Sequence, residues 1–256
     1  MTAPKGPREH TFTPARPTRS FDVVVAQLRQ RIASGALRPG DRLPSEREMA
    51  AQFEVSRNMV REALRMLETS GMVELRPGAL GGAFIARGRT DFVARSLSDM
   101  ISVGGFTLSD LLEARRALSG IIVPLAASRA TTDDLSALTS NVETAHRLVH
   151  DEAWRDIAVL NIEFHNLLAK ATANPVLGML QQSIMAVMAD VSETIGPIRS
   201  DMTIRSRLRF LELLREQRVD EAAAEMDGNL RRVHTYFMEH SAGTKYAEHE
   251  RSADRP

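Results

Sequence analysis

Apolar residues recur every three or four positions over most of the chain, and this spacing predicts helices. In the first third of the chain it predicts a helix over 21–32, a short helix over 46–53 and a third helix that follows Ser56. Two short apolar runs, 72–75 and 83–86, lack this spacing, and the glycines between them favour a hairpin of two strands. We therefore expect three helices followed by a hairpin in this part of the chain.

The third predicted helix has one apolar face and one polar face. Its apolar residues between Val60 and Leu67 share one stripe. Asn58 and Arg61 lie on the opposite side, and Arg57 lies in the first turn. Such a helix suits the major groove of DNA, where arginine binds guanine O6 and N7 and the helix N-terminus binds a phosphate. The alternative is an ordinary amphipathic helical hairpin with a solvated polar face, and the two strands that follow favour DNA binding.

Three segments resemble the winged helix-turn-helix domain of the GntR family of bacterial transcription regulators. They are LPSERE at 43–48, VSRNMVREAL at 55–64 and the strand–glycine–strand segment at 72–86. The resemblance implies a DNA-binding domain over 19–87, with a recognition helix in the major groove and a wing in the minor groove. The candidate DNA-contacting residues are Arg47, Ser56, Arg57, Asn58, Arg61, Gly81 and Gly82.

Charge separates two parts of a chain that is neutral as a whole. Of 33 basic and 33 acidic residues, the first 90 positions hold 15 Lys and Arg against 9 Asp and Glu. The first part therefore has a net charge of +6 and the remainder −6. This difference fits a nucleic-acid-binding module joined to one that does not touch phosphate, although chance segregation of six charges is the alternative.

Composition also excludes several classes of function. The 256-residue chain has no cysteine, which excludes disulfides, thiolate metal sites and cysteine nucleophiles. No apolar run reaches the roughly 18 residues of a membrane span, and no N-terminal segment has the pattern of a signal peptide. The chain also lacks a nucleophile motif and a phosphate-binding loop. We therefore expect a cytoplasmic protein that is not an enzyme and has no membrane partner.

From residue 108 onward the pattern predicts only helices, over 108–128, 132–150, 153–172, 175–195, 200–217 and 219–240. The predicted fold class is mostly α, with an N-terminal winged helix-turn-helix domain and a C-terminal all-helical bundle. DLLEARRAL at 110–118 and NIEFHNLLAKATANPVL at 161–177 resemble the FCD ligand-binding domain of the FadR-like branch of the GntR family. The resemblance implies an FCD-like bundle over 108–240 that binds a small effector and helps to hold a homodimer.

Three further segments complete the predicted domain division. Residues 1–18 are rich in Pro, Thr and Arg and predict a disordered arm. Residues 88–107 contain glycines at both ends and predict a linker with a short helix. Residues 241–256 are highly charged without an apolar stripe, and we expect a disordered tail.

Many FCD domains hold a divalent metal, and the resemblance implies where its ligands would lie. The family pattern has an Asp or Asn four residues before a His, with two further His from the last two helices. Asn161 and His165 match the first pair and are weak metal candidates, but Arg207 and Asn229 stand at the later positions. A guanidinium cannot bind a cation, so we expect no cofactor, and a divalent metal is the weaker alternative.

Arg207 and Arg115 offer positive charge where other members of the family use a metal. Together with Asn161, His165 and Asn229 they are expected to bind a carboxylate-bearing effector, such as a sugar acid, an aromatic acid or an acyl thioester. The alternative is that these polar residues only hydrogen-bond one another, or that Arg207 faces solvent.

These observations predict a homodimeric, ligand-responsive transcription regulator that binds a short palindromic operator in double-stranded DNA. We expect a repressor of a catabolic operon that a small organic acid releases. One alternative is a member of the family in which a divalent ion at Asn161 and His165 holds the effector. Others are an activator, and an architectural DNA-binding protein without an effector, which would have an apolar bundle core.

Overall fold

The computed structural model describes residues 19–78, 81–86 and 91–247. Over these residues the chain forms ten helices and one antiparallel pair of strands. The elements are α1 (Arg19–Ala33), α2 (Glu46–Phe53), α3 (Arg57–Thr69), β1 (Val73–Arg76), β2 (Gly82–Ile85), α4 (Asp91–Ser102), α5 (Leu108–Arg129), α6 (Thr132–Leu148), α7 (Trp154–Lys170), α8 (Pro175–Ile195), α9 (Met202–Arg215) and α10 (Val219–His240). The predicted fold class is confirmed. The chain divides into two compact units, Met1–Arg89 and Thr90–Pro256.

The first unit has one apolar core, built from the inner faces of its helices and strands. Val24 of α1 and Val60 of α3 are almost fully buried in it. β1 pairs with β2 so that Val73 lies opposite Ile85, and both side chains are buried. The apolar stripe of α3 therefore faces the core, and its other side is left for solvent or a partner.

Local hydrogen bonds define where α2 and α3 begin. The Ser45 hydroxyl accepts from the Glu48 amide at 3.3 Å, and the Glu48 carboxylate accepts from the Ser45 amide at 2.8 Å. This reciprocal pair is a capping box, which satisfies two free amides at the start of α2. Glu54 ends α2 in the left-handed region with φ of 55°. Ser56 then caps α3 by accepting from the Met59 amide at 3.3 Å.

The second unit is a bundle of the helices α4 to α10. Its largest buried side chains include Leu138, Phe164, Ile204 and Phe210, which come from the three helices α6, α7 and α9. The six predicted helices agree with α5 to α10 to within two residues at each end. The agreement is close because capping residues and Pro–Gly signals separate the apolar stripes.

The segment 88–107, predicted as a linker with a short helix, contains α4. This helix packs against α8 inside the second unit. Ala94 and Ile101 bury their side chains there. The segment 91–102 is therefore part of the bundle, and 87–90 lie outside the described residues.

The predicted arm, 1–18, and the end of the predicted tail, 248–256, lie outside the described residues. The prediction of a disordered tail is wrong for 241–247. Lys245 Nζ donates to Asp190 Oδ2 of α8 at 2.6 Å, and the Tyr246 hydroxyl donates to the same carboxylate. Tyr246 is buried as a result. One aromatic residue makes this contact, so no periodic apolar pattern signals it in the sequence.

Candidate nucleic-acid interface and effector cavity

The polar face of α3 is exposed, as the sequence pattern predicted. Arg57, Asn58 and Arg61 are all exposed on this face. Val60 and Leu67, on the other side, have 0% exposure. The face therefore presents guanidinium and amide donors beside a helix N-terminus, whose dipole favours an anion such as phosphate.

Two further candidate contacts lie beside this face in the chain. Ser56 is exposed, and its hydroxyl accepts from the backbone of α3, so it acts as the N-cap of that helix. Arg47 is exposed in the first turn of α2. Both positions agree with a contact to the sugar–phosphate backbone, which hydroxyl and guanidinium groups commonly bind.

Arg61 is held by an acidic residue that the sequence analysis did not single out. Arg61 Nε donates to Glu46 Oε1 at 3.1 Å, and Arg61 Nη2 donates to Glu46 Oε2 at 2.7 Å. The hydrogen bond from Arg61 is the largest cause that lowers the pKa of Glu46, and the charges of Arg57 and Arg65 act in the same direction. The sequence gives no sign of this contact, because it depends on how α2 and α3 cross in space.

The wing carries two arginines that the sequence analysis also missed. Arg42 Nη2 donates to the carbonyl oxygen of Gly81 at 2.7 Å, directly before the start of β2. The Arg76 guanidinium lies 4.3 Å from the ring centroid of Phe84, on the neighbouring strand. Arg76 also pairs with Glu74 at 3.2 Å. These cations place additional positive charge on the wing.

Gly81 and Gly82 were predicted as DNA contacts, but the hairpin itself explains why both positions are glycine. A side chain at Gly81 would lie 2.1 Å from the Arg76 carbonyl oxygen, so the wing itself leaves no room for one. Gly82 has a φ of +131°, a conformation that residues with a side chain rarely adopt. Glycine is required at both positions by the hairpin, whether or not DNA comes close. The wing residues 79–80 between these strands are outside the described part of the chain.

In the second unit, the predicted effector residues lie around one cavity between α5, α7, α8, α9 and α10. Arg115, Asn161, Arg207 and Asn229 all line it. The volume of the cavity is about 50 Å³, and the space that includes its open mouth is about 510 Å³. His165 lies behind the wall, in hydrogen-bond contact with Arg115. The remaining lining residues are Ala158, Ile162, Met185, Met188, Ser192, Ile198, Thr203, Val233 and Phe237.

Each of the two arginines is held by one of the predicted polar partners. Arg115 Nη2 lies 2.9 Å from His165 Nε2, and since a guanidinium only donates, His165 accepts through this nitrogen. Arg207 donates through Nη1 to Asn161 Oδ1 and through Nη2 to the Asn161 carbonyl oxygen at 3.1 Å. The Arg207 guanidinium also lies 4.5 Å from the ring centroid of Phe164. Arg207 is buried at 3% exposure, so it does not face solvent.

The cavity is a region of buried positive charge. No acidic residue belongs to its lining among the described residues. Burial lowers the pKa of Arg115 to about 10, and burial together with the charge of Arg115 lowers that of Arg207 to about 9. Burial, with the charges of both arginines, lowers the pKa of His165 well below its usual value, so this ring is neutral at pH 7. The site therefore holds two guanidinium charges and an uncharged imidazole.

Several buried polar atoms around the cavity have no hydrogen-bond partner within the described part of the chain. They are Arg115 Nε, Arg207 Nε, Thr203 Oγ1 and Asn229 Oδ1. A buried polar group without a partner costs about 1–3 kcal/mol, so these atoms favour a ligand that pairs with them. The two nitrogens donate, and the Asn229 oxygen accepts.

The residues present do not fit the divalent metal that the family resemblance allows. Over the described residues, no group of three or more His, Cys, Asp or Glu side chains lies close enough to hold an ion. Asn161 Oδ1 and His165 Nε2 already accept from guanidinium groups. The two buried cations would also repel a metal ion.

Two domain families match the chain at the units just described. The family described as "Bacterial regulatory proteins, gntR family" matches residues 21–85. The FCD domain matches residues 110–232. The chain carries a gntR-type DNA-binding domain followed by an FCD domain. The DNA-binding match runs over α1 to β2, and the FCD match runs from α5 into α10.

Relatives and a solved structure agree with this assignment. The "Uxu operon regulator" of Haemophilus influenzae is 34% identical over 166 residues, which are 65% of this chain and 59% of the relative. The chain thus spans about three fifths of that relative's length. The "HTH-type transcriptional repressor NanR" of Klebsiella aerogenes is 27% identical, with 83% of each chain covered. The structure of Streptococcus agalactiae GntR superimposes with a TM-score of 0.60 at 26% identity, over 84% of this chain and 99% of that chain.

The two matches agree with the predicted winged helix-turn-helix domain and FCD-like bundle. Both domains match, in the order that the sequence predicted. Along the described residues, no helix combines the length and the apolar character needed to cross a membrane.

Proposed function

We propose that this gntR protein represses an operon for the catabolism of a small organic acid, and that the acid releases it from DNA. The observation that carries the effector half of this proposal is the pair of buried guanidinium groups of Arg115 and Arg207, with no acidic residue beside them in the described lining. A carboxylate supplies the missing charge and accepts from both arginines. A repressor is favoured over an activator because the Klebsiella aerogenes relative is named a repressor.

The DNA half of the proposal rests on the exposed face of α3. Arg57 and Arg61 face solvent there and are available to the major groove, while Arg47 and the wing contact phosphate or the neighbouring minor groove. One such unit reads too few base pairs for useful specificity. A homodimer places two units on the two halves of a short palindrome, because a two-fold assembly requires a two-fold site.

The proposed effector carries hydroxyl groups as well as a carboxylate. Asn229 Oδ1 and the Thr203 hydroxyl face the same cavity, and both are buried without a partner among the described residues. A hydroxyl group on the ligand donates to the Asn229 oxygen and exchanges a hydrogen bond with Thr203. A sugar acid meets these requirements better than a plain aliphatic or aromatic acid, which would leave both atoms unpaired.

The effector binds the arrangement of the protein that does not bind the operator more tightly than it binds the arrangement that does. Such coupling between two sites is typically about 1–3 kcal/mol, or roughly 5- to 150-fold in operator affinity. By the same linkage, operator DNA lowers the affinity for the acid by an equal factor.

Thermal unfolding with a panel of ligands tests this proposal. Sugar acids should raise the midpoint of the bundle, the matching acids without hydroxyls should do so less, and the neutral sugars should have no effect. A ligand present at one hundred times its Kd stabilises by about 2.7 kcal/mol, which is readily measured. Stabilisation by zinc or nickel but by no acid would contradict the proposal and favour the metal-dependent alternative.

A further inference from the structure

The contact between Glu46 and Arg61 joins two helices of the DNA-binding unit. Glu46 is the first residue of α2, and Arg61 projects from the polar face of α3. Two hydrogen bonds of 3.1 Å and 2.7 Å connect the carboxylate to the guanidinium. Both side chains remain accessible, at 44% for Arg61 and 31% for Glu46. The pair therefore lies at the surface that the proposed function assigns to DNA.

Among the residues that the structure describes, no hydrogen bond is made by the end of the Arg61 guanidinium. Glu46 accepts from the Nε–H and from one N–H of Nη2, which lie on one side of the guanidinium group. At the far end of the guanidinium, one N–H of Nη1 and one N–H of Nη2 point in parallel away from the rest of the side chain. Two parallel donors match the O6 and N7 acceptors of guanine, which is the commonest specific contact in the major groove.

We propose that Glu46 is a positioning residue that makes Arg61 a reader of guanine. This inference rests on the proposed function, in which Arg61 contacts a base. Arginine has a long, flexible side chain, and without a fixed partner it can bind a phosphate as easily as a base. Glu46 holds the guanidinium in one orientation, so the loss of Glu46 reduces the discrimination between bases more than it reduces binding.

The charges around the pair support this role. Glu46 lies within the influence of Arg57 and Arg65 as well as Arg61, and all three cations lower its pKa. The carboxylate is therefore ionised at the pH of DNA binding and accepts both hydrogen bonds. It also places a negative charge at a surface that approaches phosphates, which weakens binding to DNA of any sequence. Because Glu46 weakens binding to DNA of any sequence, we expect its role to lie in discrimination between bases.

A different role for the same pair is a latch that keeps Arg61 away from DNA. A latch would cover the end of the guanidinium, since that end makes the contact with guanine. Glu46 instead covers only the side, so the geometry favours positioning over inhibition. The two roles predict opposite changes in specificity.

The test compares the full chain with its E46Q, E46A and R61A variants. An operator is first selected from random duplexes with the unmodified protein. Affinities are then measured by fluorescence anisotropy for this operator, for duplexes with each single base pair changed, and for an unrelated duplex. The matched control is E62Q, which removes one negative charge from an exposed position of α3 outside the pair. The capping box of Ser45 and Glu48 stays intact in all four variants, and circular dichroism checks the fold.

Loss of Glu46 should lower the discrimination at one G·C pair of each half-site by about tenfold, the order expected for a bidentate contact. Affinity for the unrelated duplex should rise, because a charge that repels phosphate is gone. E62Q should leave discrimination at that pair unchanged. In the R61A background, removal of Glu46 should cause no further loss of discrimination at that pair.

Three results would overturn the inference. Unchanged discrimination in E46Q and E46A shows that Arg61 needs no positioning. Increased discrimination shows a latch, and an equal loss in E62Q shows an effect of charge alone. If R61A itself keeps full discrimination, then the base contact in the proposed function has failed. If R61A loses discrimination and E46A keeps it, only the role of Glu46 has failed.

Discussion

Arg115 and Arg207 are buried cations that the described part of the bundle does not neutralise with an acid. Burial without a counter-charge is unfavourable, and the lowered pKa values of both groups express that cost. The family pattern indicated both residues. Arg207 stands at a position where other members have a metal ligand, and Arg115 was grouped with it as a second positive charge. The sequence did not indicate Phe164 as the partner of Arg207, since a contact between a ring and a guanidinium has no spacing rule.

Replacement of Arg207 by Met should weaken the binding of the acid and so reduce its stabilisation of the bundle. A hydrogen bond to a charged group contributes about 1.5–3 kcal/mol, so the affinity should fall roughly 10- to 150-fold. Titration calorimetry with the acid found in the ligand panel measures this change. The matched control is Arg209→Met on the same helix, whose side chain is 46% exposed and pairs with Glu212. Equal losses in both variants would show that Arg207 has no special role.

Binding of the acid should be independent of pH between about 6 and 8 and should weaken above about pH 9. Arg207 has a pKa of about 9, lowered from its ordinary value, so deprotonation of this group begins to remove the binding charge as the pH rises through 9. The pKa of His165 is lowered well below its usual value, so this ring does not titrate between pH 6 and 8. Calorimetry at pH 6, 7, 8 and 9.5 measures the profile. Affinity that increases on acidification through pH 6.5 would instead identify His165 as a cationic ligand.

The start of a helix in this fold could be predicted wherever the sequence carries a capping residue or a proline signal. The capping box at Ser45 and the N-cap at Ser56 fix the starts of α2 and α3, and Asn174 with Pro175 fixes the start of α8. The packing of α4 on α8 was not predicted, because a short apolar stripe does not say which neighbour it meets. The Glu46–Arg61 contact was missed for the same reason.

The hairpin of the wing requires glycine at position 81. Gly81→Ala should destabilise the first unit by more than about 1 kcal/mol, because the new methyl group would lie 2.1 Å from the Arg76 carbonyl oxygen. Gly120→Ala in α5 is the control, since nothing lies within 4 Å of that position. It should leave stability unchanged or raise it by up to about 1 kcal/mol. Chemical denaturation of each variant measures the difference, and an undisturbed Gly81→Ala protein would show that the hairpin adapts.

At the scale of the whole molecule, the sequence already separates a basic first part from an acidic remainder. The structure divides the chain at nearly the same place, into Met1–Arg89 and Thr90–Pro256. The basic unit carries the exposed arginines of α3, and the other unit carries the buried arginine cavity. Domain order and the face of the recognition helix were predictable from periodicity and charge. The identity of the proposed effector could not be predicted, because the shape of the cavity depends on contacts among five helices.

The measurement that tests this account most directly is selection of operators from random duplexes, carried out in parallel with the unmodified protein and with R61A. The unmodified protein should enrich a short inverted repeat with a defined G·C pair in each half. R61A should weaken binding to that repeat by about 1–3 kcal/mol and should no longer distinguish that base pair. An R61A protein that selects the same repeat with the same preference, or an unmodified protein that enriches no sequence, would contradict the assignment of the α3 face to DNA.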